Sequence, residues 1–125
     1  MKSTRFSAIV KYILTLSLLV KNHLNARDVY DMLVRIPKGK ITTYGDVAKA
    51  LGHPNASRAI GRILNKNPNP IVVPCHRVVM SNGKIGGYAS GKAKKKELLK
   101  NEGLRFMKDY MCDFAACRTD LAKLT

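Results

Sequence analysis

The sequence predicts a small α+β domain, mostly helical. A helix-turn-helix is followed by a short β-hairpin or extended segment and then by a closing helix. Three observations carry this expectation. Two stretches of helical apolar spacing, at 45–51 and 56–66, flank a His53-Pro54-Asn55 turn. Two β-branched runs, at 71–73 and 77–80, are of strand length and are separated by Pro74. The chain has 125 residues, 46% of them hydrophobic, which suits one compact domain with short appendages. That length excludes an α/β barrel, and that apolar content excludes a globally disordered chain.

The elements follow in order. Residues 1–24 form a short N-terminal appendage. Basic residues at 1–5 and an apolar run from Phe6 to Val20 have the outline of an export signal, but Lys11 interrupts the run and no small-x-small cleavage site follows. The run also falls short of the roughly 20 residues that span a bilayer. A helix or strand packed on the domain is the expectation. In 27–36, Val29, Met32, Leu33 and Ile36 recur at helical spacing until Pro37 and Gly39 end the pattern. The next helix, 45–51, starts near Thr43 or Tyr44 and stops at Gly52.

Asn55 is the expected cap of the following helix, 56–66, whose apolar stripe is Ala56, Ala59, Ile60, Ile63 and Leu64. Asn67-Pro68-Asn69-Pro70 is a stiff connector. Residues 71–73 read as a buried strand and 77–80 as its continuation, with a turn at 81–83. Residues 86–91 form a loop of low side-chain bulk. The closing helix spans 92–102 and ends at Gly103. The extension, 104–125, is expected to be helical.

Lys and Arg total 23 against 8 Asp and Glu, a formal charge of +15. The excess lies in the middle: residues 25–103 hold fifteen cations and five anions. No acid occurs between Asp46 and Glu97, while Arg58, Arg62 and Lys66 repeat every four residues along the second helix of the pair. A field of this sign favours a polyanionic partner, nucleic acid before membrane. A helix-turn-helix within it reads as a winged-helix-like nucleic-acid-binding unit. The lysines of the closing helix, Lys92, Lys94, Lys95, Lys96 and Lys100, read as solvated.

Three cysteines, Cys75, Cys112 and Cys117, cannot all pair within the chain. A reducing compartment is expected: the cytoplasm, with nucleoid association in a prokaryote. Cys112 and Cys117 read as small buried hydrophobes of a helix. No spacing is of zinc type, so no metal is expected.

Pro74-Cys75-His76-Arg77 is the sharpest chemical feature. A free thiol, with pKa about 8.5, is only a few per cent ionised at neutral pH, and a nearby base raises that fraction. Adjacency alone does not bring the two groups together, because neighbouring side chains of a strand face opposite ways. The pair is structural or catalytic on its own chemistry.

The whole set of motifs resembles the O6-alkylguanine-DNA alkyltransferases. IVVPCHRVV at 71–79 is similar to their active-site signature. TTYGDVA at 42–48, NASRAIG at 55–61, NKNPNP at 65–70, GGYASG at 86–91 and NEG at 101–103 follow in the family's order. The similarity covers most of 27–103. It implies that Cys75 accepts the alkyl group, with His76 acting as general base through a water and Glu102 orienting the imidazole. It implies that Tyr44 donates to guanine N3 and that Asn67 ties the helix-turn-helix to the active-site segment. Backbone groups at Cys75 and Val78 would read the exocyclic amine, and those at Tyr88 and Ala89 would face O6.

Leu64, Pro70 and Ser90 would bound the alkyl pocket. The second helix would enter the minor groove of double-stranded DNA, with small Ala56 and Ala59 close to the backbone. Arg58 would fill the gap left by the flipped nucleotide, while Arg62 and Lys95 would be further DNA contacts. No cofactor, membrane or obligate protein partner is implied, and a monomer is expected. Ala89 stands where many family members have serine, and most of the family's N-terminal domain has no counterpart here. Two functions remain: irreversible single-turnover transfer to Cys75, or a non-catalytic module that binds alkylated DNA and recruits other factors. A cysteine hydrolase would leave the basic helix pair unexplained.

Overall fold

In the computed structural model the described residues are 24–124. The expectation of a packed helix or strand in 1–24 falls almost entirely outside them. Helix α1, Ala26–Leu33, starts at Asn25, whose side chain accepts from the amide of Asp28. Val29, Met32 and Leu33 turn inward, and Ile36 follows them just past the helix. Strand β1, Thr42–Thr43, leads straight into α2, Tyr44–Ala50. Thr43 caps that helix, with Oγ1 3.0 Å from the amide of Asp46. Helix α3, Ser57–Asn65, completes the helix-turn-helix and buries Ile60 and Leu64. Its N-cap is Ala56, with no side-chain cap bond. Asn55 therefore does not cap it: the turn ends one residue later than the motif indicated.

The 71–73 run is not a buried strand. Ile71 has φ +76°, and it and Val72 are 58% and 76% exposed. Only Val73 enters the core, its amide closing a turn on the carbonyl of Asn69 at 2.9 Å. The prolines shape a tight reversal here, and local geometry outweighs the β propensity of the two apolar residues. Cys75–Arg77 forms a 3-10 turn, and β2, Val78–Val79, follows. β2 pairs parallel with β1, Thr42 opposite Val78 and Thr43 opposite Val79. Two residues a side give little stability alone. The pairing matters for position, since it sets Tyr44, the first residue after β1, beside the turn that carries Cys75.

Helix α4, Lys92–Asn101, closes the domain, with Glu102 as its C-cap. The extension is not a single helix. It forms a hairpin of β3, Phe106–Met107, and β4, Tyr110–Met111, then a one-turn α5, Phe114–Cys117, and a 3-10 turn, Leu121–Leu124. Lys84 bridges to Tyr110 and Ile41 to Arg118, so the tail adds main-chain pairing to the domain. Its side chains also fill the core. Leu121 joins Val29, Leu33, Val47, Ile60 and Val78, while Met111 joins Ile41, Val79, Ile85 and Leu99. A fully buried aliphatic side chain contributes about 1.5–3 kcal/mol, so the tail is part of the fold's stability. Cys112 and Cys117 are half-buried, in a turn and at the end of α5, not two buried positions of one helix.

Candidate active site

Cys75 is 5% exposed and forms part of a cleft of about 560 Å³ between α3 and the 86–91 loop. Tyr44, Arg58, Arg62, Leu64, Tyr88 and Ala89 line it with the cysteine. Pro70, Val78 and Ser90 do not line it. Pro70 belongs to the exposed turn before Val73, and Val78 is buried in the core. Ala56, the N-cap of the helix that carries Arg58 and Arg62, and Ala59 within it are half-buried.

Asn67, just past α3, spans the gap to the active-site turn. Its Nδ2 lies 3.0 Å from the carbonyl of Val73 and 3.3 Å from Cys75 Sγ. Its Oδ1 accepts from the amide of Asn69 at 2.9 Å. One amide thus shapes the connector and donates to the sulfur.

His76, the next residue, is 1% exposed. Its Nε2 is 2.9 Å from Glu102 Oε2. Burial pulls the imidazole below its ordinary value, outweighing the upward pull of Glu102. A neutral ring donates its Nε2 proton to the carboxylate, which leaves Nδ1 as the acceptor. Nδ1 is buried and has no hydrogen-bond partner in the protein. Burial pushes the Glu102 carboxyl up, but hydrogen bonds from Arg77 and His76 reverse this and hold it below the usual range. Arg77 makes two of those bonds, at 2.9 and 2.8 Å, and also donates to the carbonyl of Ile36 at 2.6 Å. Sequence reasoning missed Arg77. The signal available was the scarcity of acids: after Asp46 the domain offers only Glu97 and Glu102 as partners for a half-buried cation.

Lys95 corrects a second expectation. It is fully buried, so it is neither a solvated lysine nor positioned to contact DNA. Nζ donates to the carbonyls of Val78 at 2.6 Å and Gly87 at 3.0 Å, and to Tyr44 Oη at 3.4 Å. Lys95 precedes buried Leu99 by one helical turn, which is the spacing that could have revealed its inward face. Burial pulls its ammonium down to about 7. Burial, then the charge of Cys75, pushes the Tyr44 hydroxyl up. Gly86, at φ +74°, permits this packing, for a Cβ there would lie 3.3 Å from the Tyr44 ring and hydroxyl. Among the described residues no three His, Cys, Asp or Glu side chains gather as a metal-binding group. No helix among them is long and apolar enough to cross a membrane.

Fold and cleft together define a class: a helix-turn-helix domain that shelters a thiol next to its second helix. The chain belongs to the family described as 6-O-methylguanine DNA methyltransferase, DNA binding domain, whose model matches residues 25–104. A methylated-DNA–protein-cysteine methyltransferase of Methanosarcina acetivorans is 53% identical over 77 residues, covering 62% of this chain and 49% of that protein. Its counterpart in Shigella flexneri is 48% identical over 77 residues, covering 62% of this chain and 45% of its own length. The chain thus spans about half the length of these relatives. A crystal structure of S. pombe Atl1 with damaged DNA containing O6-carboxymethylguanine superposes with a TM-score of 0.65 at 29% identity. It covers 75% of this chain and 93% of that one. Mycobacterium tuberculosis OGT in complex with DNA gives a TM-score of 0.61 at 32% identity, covering 74% and 64%.

Proposed function

We propose that this protein repairs DNA by direct reversal, moving a methyl or larger alkyl group from O6 of guanine to Cys75 in one irreversible turnover. The observation that carries the proposal is the sulfur itself. It belongs to an open cleft beside the basic helix, accepts a hydrogen bond from Asn67, and is followed in the chain by the His76–Glu102 pair.

The chemistry follows from those groups. Neutral His76, held on Glu102 through Nε2, presents Nδ1 as the base that takes the thiol proton through a water. The thiolate attacks the carbon on O6, an S–C bond forms, and the C–O6 bond breaks with its electrons passing into the purine. Tyr44 supplies a hydrogen bond or proton at guanine N3. The backbone at Tyr88 and Ala89 faces O6, where charge develops. The alkylated base reaches the cleft by leaving the duplex. Arg58 and Arg62 both line the cleft and are exposed on α3, which supports α3 docking in the minor groove with Arg58 filling the vacated stack. A monomer suffices, because every group named comes from one chain. The free state of Cys75, Cys112 and Cys117 supports a reducing compartment, the cytoplasm or a prokaryotic nucleoid.

A second reading has one observation in its favour: the likeness to S. pombe Atl1 extends over 93% of that chain. On this reading the domain binds alkylated DNA and recruits other factors without transfer. Incubation with a duplex containing O6-methylguanine, followed by mass analysis of the Cys75 peptide, separates the two. Stoichiometric gain of one CH2 unit supports transfer, and binding with an unchanged peptide supports the module. Cys75→Ser abolishes transfer and retains DNA binding.

A further inference from the structure

The cleft that holds Cys75 is lined by two arginines, Arg58 and Arg62, and by no acid. Elsewhere Arg77, Arg105 and Arg118 each pair with a carboxylate, on Glu102, Asp113 and Asp46 in turn. Arg58 and Arg62 pair with no described residue. The two differ in place. Arg58, with Tyr44 and Gly61, also borders a second hollow of about 260 Å³ that runs along Met80 and Gly86. Arg62 does not; it lines the Cys75 cleft together with Leu64 and Asn65. Arg62 and Asn65 stand three positions apart on α3, both exposed, so their polar ends share one helix face. A guanidinium without a counter-ion, turned to the cleft of a reactive sulfur, is a site for an anion. Its planar fork matches the two oxygens of a carboxylate.

We propose that Arg62, with the amide of Asn65 beside it, forms an anion subsite that admits O6 substituents carrying a carboxylate, of which carboxymethyl is the smallest. The inference rests on the alkyl-transfer reading and deepens it by naming a substrate class. The physical need is plain. A thiolate attacking the carbon next to a carboxylate brings two negative charges together, and their repulsion is strong in a cleft that excludes water. A guanidinium on the carboxylate offsets that repulsion, and it offers nothing to a methyl group. The step balances. Sγ bonds to the methylene carbon, the C–O6 bond breaks with its electrons passing into the purine, and the proton lost by the thiol ends on the purine. Thiol and carboxymethylguanine become carboxymethyl thioether and guanine, with the carboxylate unchanged on Arg62.

The test uses pairs of probes that differ in charge and hardly in shape. One pair is a duplex with O6-carboxymethylguanine and the same duplex with O6-carbamoylmethylguanine. The other is iodoacetate and iodoacetamide, which place the same two groups on sulfur without DNA. Each arm reads the ratio of the anionic to the neutral rate at the Cys75 peptide, so any general loss of DNA docking cancels. Arg62→Gln should lower both ratios at least about fivefold, and Arg62→Lys should keep most of each. With the iodo reagents the ratios at Cys112 and Cys117 should not move. Arg58→Gln removes the same charge from the cleft and should change the ratios by less than about twofold. Either Cys75 ratio unchanged in Arg62→Gln overturns the proposal. So does an equal fall in Arg58→Gln or at the other two cysteines, since the charge would then act as a diffuse field. If wild type takes methyl from O6-methylguanine but no carboxymethyl, the subsite is refuted and the transfer reading stands. If wild type takes neither, the transfer reading fails and the substrate class falls with it.

Discussion

The side-chain amide of Asn67 donates to Cys75 Sγ at 3.3 Å while holding the carbonyl of Val73 at 3.0 Å. Asn67→Ala removes it and leaves the Val73 carbonyl without this partner. The variant should lose about 1–2 kcal/mol of stability, visible in urea unfolding. Its rate of methyl uptake should fall by more than its DNA affinity does.

Transfer should fail in acid. The base is neutral His76, and burial holds its imidazole below the ordinary 6.5. The rate therefore stays flat near neutrality and drops as pH falls through a midpoint under that value. In Glu102→Gln the carboxylate's upward pull on the imidazole is gone, so the midpoint should move lower still. Single-turnover rates across pH read both positions.

Glu102 also serves stability. Its carboxyl lies below the ordinary 4.5 in the folded chain, where hydrogen bonds from Arg77 and His76 overcome burial. A depressed folded value contributes stability that is complete above the unfolded value and is lost as pH falls through the folded one. Glu102→Gln should thus be about 2–4 kcal/mol less stable at neutral pH, because Arg77 keeps its half-buried place without a counter-charge. The gap to wild type should close in strong acid. Denaturant titrations at both extremes measure it.

Arg58 distinguishes base flipping from plain electrostatic binding. If its side chain fills the stack, Arg58→Ala slows repair of duplex far more than repair of single strands. Equal slowing on both substrates, with a salt dependence reduced by about one counter-ion, would mark a phosphate contact instead.

The extension is tested at Leu121, which is buried among α1, α2 and α3 side chains. Leu121→Ala should lower stability by about 2–4 kcal/mol, while a solvated tail would show no change. Thermal unfolding decides between them.

Much of this was legible in the sequence. The helix pair, the stops at Gly52 and Gly103, the proline-bent connector and the Cys75–His76 step are all local. Each depends on residues within a turn or two of one another, where apolar spacing and glycine or proline chemistry act directly. The Ile71-Val72 pair shows the limit of such reading, for a β-branched pair looks like core until the chain reverses and turns it outward. The tail was misread for a related reason: its hairpin pairs with Lys84 and the residue after α5, Arg118, with Ile41, both far back in the chain.

By itself the sequence determined which residues could do chemistry and roughly where the helices begin and end. Tertiary structure alone decided which of five neighbouring lysines is buried, that Arg77 shares Glu102 with His76, and that Tyr44 meets Lys95. These partners lie 25, 26 and 51 positions apart. Whether such groups meet depends on how elements pack, and whether a charge is solvated depends on what covers it. Neither property is written in any single stretch of chain.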